Sequence, residues 1–101
     1  MRFTAVLLAP LLAATATQAA EIKICRKIAF FDCTVLTVPS GQCVKVPEDF
    51  NNQVSSAKVL EGDYCESYDT PCEGSPLIKI THLGFAALPK GQRTSGFRCY
   101  D

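Results

Sequence analysis

The stretch CRKIAFFDC, residues 25–33, opens a pattern that recurs later in the chain as CESYDTPC, residues 65–72. Both copies continue with an apolar–Pro pair and a short triplet that ends in serine: VP at 46–47 and VSS at 54–56, then LP at 88–89 and RTS at 93–95. The first cysteine and the last serine are 31 positions apart in one copy and 30 in the other. Repetition of this kind predicts two copies of one supersecondary unit that share a core.

Residues 1–19 have the pattern of a secretory signal peptide. Arg2 supplies a positive start, an apolar run follows at 6–12, and small residues precede Ala19. The run is far shorter than the roughly 20 apolar residues that a membrane span needs. We therefore expect cleavage after Ala19, no membrane span, and a single secreted domain over residues 20–101.

The charge of that domain is nearly balanced. The chain has 10 Lys and Arg and 10 Asp and Glu, and Arg2 falls in the predicted signal peptide. The domain then has a net charge of about −1, which argues against nucleic acid as a partner because such partners require clustered cations. An unknown protein or cell-surface target and a monomeric state are the expectations for partners.

Cysteine usage points to disulfides rather than to a metal. All six Cys lie within residues 20–101, no two are spaced as Cys-x-x-Cys, and the one His is His82. An even number of Cys in a small secreted chain predicts three disulfides, whereas zinc sites require a different spacing. A domain this small gains much of its stability from such cross-links.

Alternating apolar and polar residues run through most of the domain. They predict eight short strands, at 22–25, 33–38, 43–46, 56–60, 64–68, 77–81, 83–88 and 95–100. Turn-forming residues separate them, and the best helical stretch, 49–58, is weakened by two Asn and two Ser. The prediction is an all-β sandwich or barrel.

Two four-strand units, each with a Ser pair or Thr-Ser pair before its fourth strand, resemble a βγ-crystallin domain. That family has two Greek keys in a sandwich, and each key begins with a folded hairpin between its first two strands. Residues 25–33 and 64–74 would be these hairpins, with Phe31 as the aromatic of one and Gly74 as the glycine of the other. Asp32 stands where the first hairpin would have its glycine. Small Cys-rich proteins of this kind resemble secreted fungal proteins, including toxin-like antimicrobial ones.

The segment NNQVSS, residues 51–56, matches the calcium signature of that family, and KGQRTS, residues 90–95, is its altered counterpart. The resemblance implies a calcium site that pairs Asn52 and nearby loop carbonyls with Thr94. A second would pair Ser55 with the loop that holds Gly91, which has no side-chain oxygen, so the expectation is a weak single site. Such oxygens suit Ca²⁺, although amides in place of carboxylates lower the affinity. The alternative is that the Asn pair only shapes the loop and the Ser pair bonds the hairpin. No other cofactor is expected.

The resemblance also implies a disulfide pairing. Cys25–Cys33 and Cys65–Cys72 would close the two equivalent hairpins. Because the third strand of one key lies beside the fourth strand of the other, Cys43 would then pair with Cys99.

Three further features have more than one interpretation. Phe30 and Phe31 form either a core plug or an exposed anchor. Charged residues of opposite sign lie near the two hairpins and either steer a partner or only form a solvated surface. They are Lys23, Arg26 and Lys27 near the first and Asp63, Glu66, Asp69 and Glu73 near the second. His82 has no neighbouring nucleophile motif, so no catalytic residue and no enzymatic activity are expected.

The combined prediction is a secreted, cysteine-rich, non-enzymatic effector or virulence-type protein that acts on a host or cell-surface target. An antimicrobial or killer toxin is one alternative, and a calcium-stabilised structural protein of a wall or matrix is another.

Overall fold

The computed structural model describes residues 18–90 and 93–101, so the predicted signal peptide lies almost entirely outside the described residues. Strands in antiparallel sheets are the main regular structure of the described part, which has almost no helix. In chain order they are β1 (Ala19–Lys27), β2 (Phe31–Pro39), β3 (Cys43–Lys45), β4 (Ser56–Glu61), β5 (Tyr64–Tyr68), β6 (Ile78–Ile80) and β7 (Gly96–Tyr100). Two short 3-10 segments, Ile28–Phe30 and Glu48–Phe50, complete the regular structure.

The strands form two antiparallel sheets. Sheet A has the order β2-β1-β4, and sheet B has the order β3-β7-β5-β6. β3 therefore leaves its neighbours in sequence and joins the sheet of the second half. In return, Phe85 of the second half forms a single bridge to Ala57 of β4. Each sheet thus receives a segment from the other half of the chain.

The core is formed by inward-facing residues, which alternate with outward-facing ones along the strands. Ala20, Ile22 and Ile24 of β1 are fully buried, while the residues between them are half-exposed. β7 shows the same alternation, with Phe97 and Cys99 buried in full. This period of two is the pattern from which the strands were predicted.

Each half has a hairpin that folds onto the outward face of its own sheet. Ser56 faces outward from β4 and is nevertheless fully buried, because the tip of the β1–β2 hairpin lies on it. In sheet B the hairpin after β5 lies so close to β7 that a Cβ on Gly96 would come within 2.8 Å of Pro71. Only glycine fits at that position.

The segment 83–88 differs from its prediction. It contributes one bridge at Phe85 and no strand. Gly84 has φ +67° and lies against the backbone of β4, where a Cβ would be only 2.6 Å from the Ala57 carbonyl oxygen. This turn ends the extended conformation that a longer strand would require.

The three disulfides are Cys25–Cys33, Cys43–Cys72 and Cys65–Cys99. The first confirms the expectation, whereas the pairs Cys65–Cys72 and Cys43–Cys99 were wrong. β3 does lie beside β7, but Cys43 is opposite Arg98 and so faces outward, whereas Cys99 faces the core. A shift of one residue along a strand moves a side chain to the opposite face.

The register of sheet B accounts for the observed pairs. Cys99 lies directly opposite Cys65 of β5, and both side chains point into the core. Cys43, on the outward face, reaches Cys72 in the folded hairpin instead.

Candidate functional site

The loop between β3 and β4 is held in place by its own turn and by the first hairpin. Glu48–Phe50 forms one 3-10 turn after Pro47, and Phe50 is buried. The guanidinium carbon of Arg26 lies 4.9 Å from the centroid of the Phe50 ring, which is within cation–π range. Arg26 also donates to the Asp49 carbonyl oxygen at 3.4 Å. The loop and the hairpin therefore form one unit.

Asn52 and Thr94, two of the predicted calcium residues, are brought together by a backbone hydrogen bond. The Asn52 amide donates to the Thr94 carbonyl oxygen at 3.0 Å. Asn52 is exposed and has φ +59°, a left-handed conformation that Asn tolerates better than most residues. The Thr94 side chain is fully buried, and its hydroxyl is 3.4 Å from the Lys90 carbonyl oxygen.

Ser55, the third predicted residue, is positioned by different neighbours. Its amide donates to the Cys25 carbonyl at 2.7 Å, and its carbonyl accepts from the Leu88 amide at 2.8 Å. Ser55 therefore ties the loop to β1 and to the end of the segment that borders β4. Asn52 and Ser55 of the first half thus each bond a residue of the second half.

Ser56 and Ser95 both bond their hairpins, which is the role that the alternative interpretation assigned to the Ser pair. The Ser56 hydroxyl donates to the Lys27 carbonyl at 2.7 Å and accepts from the Phe30 amide at 3.0 Å. In the second half, the Ser95 hydroxyl donates to the Asp69 carbonyl. The two copies thus use their last serine in the same way.

A cleft of about 480 Å³ opens where the loop, β3 and the second hairpin meet. It is lined by Lys45, Val46, Glu48, Asn51, Pro71 and Ser95. One cation, one carboxylate, an amide and a hydroxyl are thus available for hydrogen bonds to a small polar ligand. The Cys43–Cys72 disulfide fastens the hairpin beside this opening.

The donor atoms near Asn52, Ser55 and Thr94 are amide, hydroxyl and carbonyl oxygens, which are ligands of the kind that Ca²⁺ takes. None of the three side chains is a carboxylate. Within residues 18–90 and 93–101, no three His, Cys, Asp or Glu side chains lie together in a way that could hold a metal ion. These oxygens are of the type that Ca²⁺ binds, but the absence of a carboxylate among the three side chains predicts a low affinity.

An ion pair stabilises the tip of the first hairpin. Arg26 binds both carboxylate oxygens of Asp32, at 2.8 and 3.0 Å. The hydrogen bonds and the positive charge of Arg26 lower the pKa of Asp32, against a smaller opposing effect of desolvation. Asp32 has φ +61°, so this fork also holds a strained backbone conformation.

The large exposed hydrophobic side chains of the described residues all belong to sheet A and the segments that border it. They range from 37% to 91% exposed: Ile28, Phe31, Val35, Leu60 and Leu83. Exposed apolar side chains that adjoin one another are typical of an interaction surface. We call this group of five side chains the apolar side.

Lysines lie among these apolar groups. Lys23 is the strand partner of both Val35 and Lys58, and the Lys58 ammonium is 5.4 Å from the centroid of the Phe30 ring. Phe31 is 65% exposed and Phe30 is half-buried. The interpretation of this pair as a core plug is therefore wrong for Phe31, which is exposed.

The charge asymmetry between the hairpins is smaller in the structure than the sequence suggests. Arg26 is paired with Asp32, and Asp69 of the second hairpin is paired with Arg93 at 2.9 Å. His82 is exposed, and its Nε2 lies 2.6 Å from the Gly62 carbonyl oxygen. The polar partner of the imidazole is thus a backbone group.

The outward face of sheet B has a different character. The rings of Tyr64 and Tyr100 lie 4.9 Å apart, and the Lys79 ammonium is 4.4 Å from the Tyr64 ring centroid. Burial is the largest cause of the raised pKa of Tyr64. Sequence reasoning missed this cluster, although the alternation of β5 and β7 places both Tyr residues on one face.

Comparisons with protein-family models, with curated proteins and with solved structures gave no match. Among the described residues, no helix has the length and apolar character needed to cross a membrane. Three disulfides fit a protein of an oxidising, extracellular environment.

Proposed function

We propose that this chain is a secreted, non-enzymatic effector-type protein whose apolar side binds a target on a host or on a cell surface. The observation that carries the proposal is that, among the described residues, the large exposed hydrophobic side chains all lie on sheet A or on the segments that border it, in a disulfide-linked scaffold. A rigid scaffold reduces the entropy lost when such a surface binds. The signal-peptide pattern of residues 1–19 supports secretion.

We further propose that the two sheets form a sandwich of two crystallin-like Greek keys. Support comes from the matching order of the two sheets. β1 lies between β2 and β4, as β5 lies between β6 and β7. The next neighbour comes from the other half in both sheets: Phe85 beside β4, and β3 beside β7. Asp32 and Gly74 also support it, because both have positive φ at the positions where the family pattern has glycine. The equal roles of Ser56 and Ser95 agree with this.

The environment of His82 supports a non-enzymatic role. Catalysis by a Ser-His-acid set requires a hydroxyl and a carboxylate on either side of the imidazole. Here a ring nitrogen of His82 contacts the Gly62 carbonyl. The proposal therefore assigns this His a part in joining the turn after β4 to the segment that borders β4.

An antimicrobial or killer toxin is the second candidate, and the lysines of sheet A favour it. Lys23 and Lys58 lie next to Val35 and Phe30, so cationic and apolar groups share one surface. Such a mixture favours contact with anionic surfaces.

The test applies purified protein to plant tissue and, in parallel, to bacterial and fungal cultures. The wild type is compared with a Phe31→Ser variant and with Lys79→Ser, a matched exposed control on sheet B. The proposal expects a tissue response that Phe31→Ser weakens and Lys79→Ser leaves intact, with both variants folded by circular dichroism.

Growth inhibition of microbes without a tissue response would favour the toxin. A response that both substitutions leave unchanged would show that the apolar side is not the binding surface.

A further inference from the structure

The four sheet edges formed by the described residues differ in how well they are protected. The edge of β4 is covered, because Ala57 exchanges two backbone hydrogen bonds with Phe85 and the Val59 amide donates to Thr81. β3 and β6 are three residues long and each carries an outward-facing lysine, Lys45 or Lys79. Short length, charge and cover are the usual protections of an edge strand.

β2 has none of these protections. It runs for nine residues, and its backbone pairs only with β1 among the described residues. Between Cys33 and Val38 it has no charged side chain. Val35, in the middle, is 49% exposed. The side chains of Phe31 and Val35 belong to the apolar side, but that role does not involve the backbone edge of this strand, which requires its own explanation.

The backbone groups that point outward from β2 can be identified. Cys25 and Cys33 lie directly opposite each other with their Cα atoms 3.9 Å apart, the short spacing of a pair that exchanges no backbone hydrogen bonds. The Cys25 carbonyl accordingly bonds Ser55 on the β4 side. The amides and carbonyls of Cys33, Val35 and Thr37 therefore point away from β1, towards the free edge.

The regular part of this edge is symmetric about Val35. It is bounded on one side by Asp32, whose φ is +61°, and on the other by Pro39, which has no amide proton and whose carbonyl accepts from Gln42. A two-fold rotation about Val35 therefore places Cys33 of one strand opposite Thr37 of an identical strand. Asp32, the one charged residue of β2, is already paired with Arg26.

We propose that β2 pairs antiparallel with β2 of a second copy of this chain, about a two-fold axis at Val35. Val35 then lies opposite Val35 of the second copy, and Cys33 lies opposite Thr37 of the second copy. Two hydrogen bonds per bonded pair give about six between the chains. Two copies of sheet A become one continuous sheet. This dimer replaces the monomer expected from the sequence.

The affinity of this dimer is modest. One strand pair buries less than the roughly 1,000 Å² of a stable complex, so we expect a Kd of about 0.1 mM. Amide hydrogen exchange at about 20 µM and about 1 mM protein then tests the edge directly. At this Kd the fraction of free monomer falls about four-fold between the two concentrations. The amides of Cys33, Val35 and Thr37 should slow by the same factor.

Thr34 and Leu36 are the internal controls, since their amides already face β1 and should be protected equally at both concentrations. Sedimentation of the same samples should show a mass that rises towards twice that of the chain. Exchange that is independent of concentration at all three edge residues would overturn the proposal.

A pair of variants locates the interface. Val35→Lys places two ammonium groups directly opposite each other, which is unfavourable in a sheet, and should abolish the dependence on concentration. Leu83→Lys changes an equally apolar but more exposed side chain away from this edge and should leave it intact. A dimer that survives Val35→Lys would mean a different interface and would refute the proposal.

A foreign strand is the other occupant that such an edge could take. If the chain stays monomeric while an unrelated extended peptide in excess protects the amides of Cys33, Val35 and Thr37, the edge binds other chains. That result would also overturn self-pairing.

Discussion

Replacing Ser56 with alanine should destabilise the protein more than its small change in volume implies. The hydroxyl is fully buried beneath the first hairpin. It donates to the Lys27 carbonyl at 2.7 Å and accepts from the Phe30 amide at 3.0 Å. Alanine removes both bonds and leaves two backbone groups without a partner in the tip of the hairpin.

The expected loss follows from those two groups. A buried donor or acceptor that loses its partner costs about 1–3 kcal/mol, and the half-exposed tip allows water to satisfy part of this. We therefore expect Ser56→Ala to lower the free energy of unfolding by about 2 kcal/mol in total. For a domain of this size the melting temperature should fall by about 10 °C.

Ser95→Ala is the matched control in the second hairpin. The Ser95 hydroxyl makes one bond, to the Asp69 carbonyl, and the residue is only half-buried. Its loss should cost about 1 kcal/mol. Guanidinium unfolding with intact disulfides measures both variants against wild type. Equal losses, or a change in Ser56→Ala below about 0.5 kcal/mol, would refute the view that this hydroxyl holds the hairpin.

Three other predictions concern the turns and the loop. Gly84→Ala should be strongly destabilising in thermal unfolding, because φ is +67° and a Cβ would lie 2.6 Å from the Ala57 carbonyl; a neutral result would show that the segment can move away from β4. The carboxylate of Asp32, whose pKa is lowered chiefly by its hydrogen bonds to Arg26, should stabilise the fold above its ordinary pKa of 3.8 and lose that effect as the pH falls through the lowered folded-state value. In Asp32→Asn the acid loss of stability should be smaller, and an unchanged acid profile would contradict this. Calcium at ten times its Kd should add only about 1.4 kcal/mol to wild type and nothing to Asn52→Ala, as calorimetry against a chelator would show; tight binding of two ions would contradict a weak single site.

The strands could be predicted from the sequence because burial alternates with a period of two along β1, β5 and β7. The closeness of Asn52 to Thr94 was an implication of the resemblance to a βγ-crystallin domain. The strands thus depend on local pattern, whereas the closeness of these two loops was carried by the resemblance.

Cys25–Cys33 was predicted correctly, but the pairing of the other four Cys could not be predicted in the same way. Whether Cys43 faces the core or the solvent depends on which residue of β7 lies opposite it, and that register is set by contacts distant in sequence. A shift of one residue in the pairing of β3 with β7 would put Cys43 opposite Cys99, on the core face of the sheet. The observed register puts it opposite Arg98, on the outward face.

The exposure of the hairpin tip could not be predicted from the sequence, for a different reason. Ala29, Phe30 and Asp32 all have positive φ, although none is glycine. Left-handed residues reverse the direction in which side chains point, so the alternation of a strand does not continue through them. The residue types do not predict this left-handed conformation, because it depends on the Ser56 hydroxyl that lies beneath the tip.

The order of the disulfides decides what a protease can release from this protein. A single cut anywhere between Cys43 and Cys99 leaves both fragments covalently joined, since Cys43–Cys72 and Cys65–Cys99 overlap along the chain. Between Cys33 and Cys43 no bridge spans the cut, and there one event would detach the amino-terminal hairpin whole. The segment between Cys33 and Cys43 is therefore the one place in the cross-linked part of the chain where a single proteolytic cut separates two fragments, and a cut elsewhere in that part leaves one molecule that is heavier by one water.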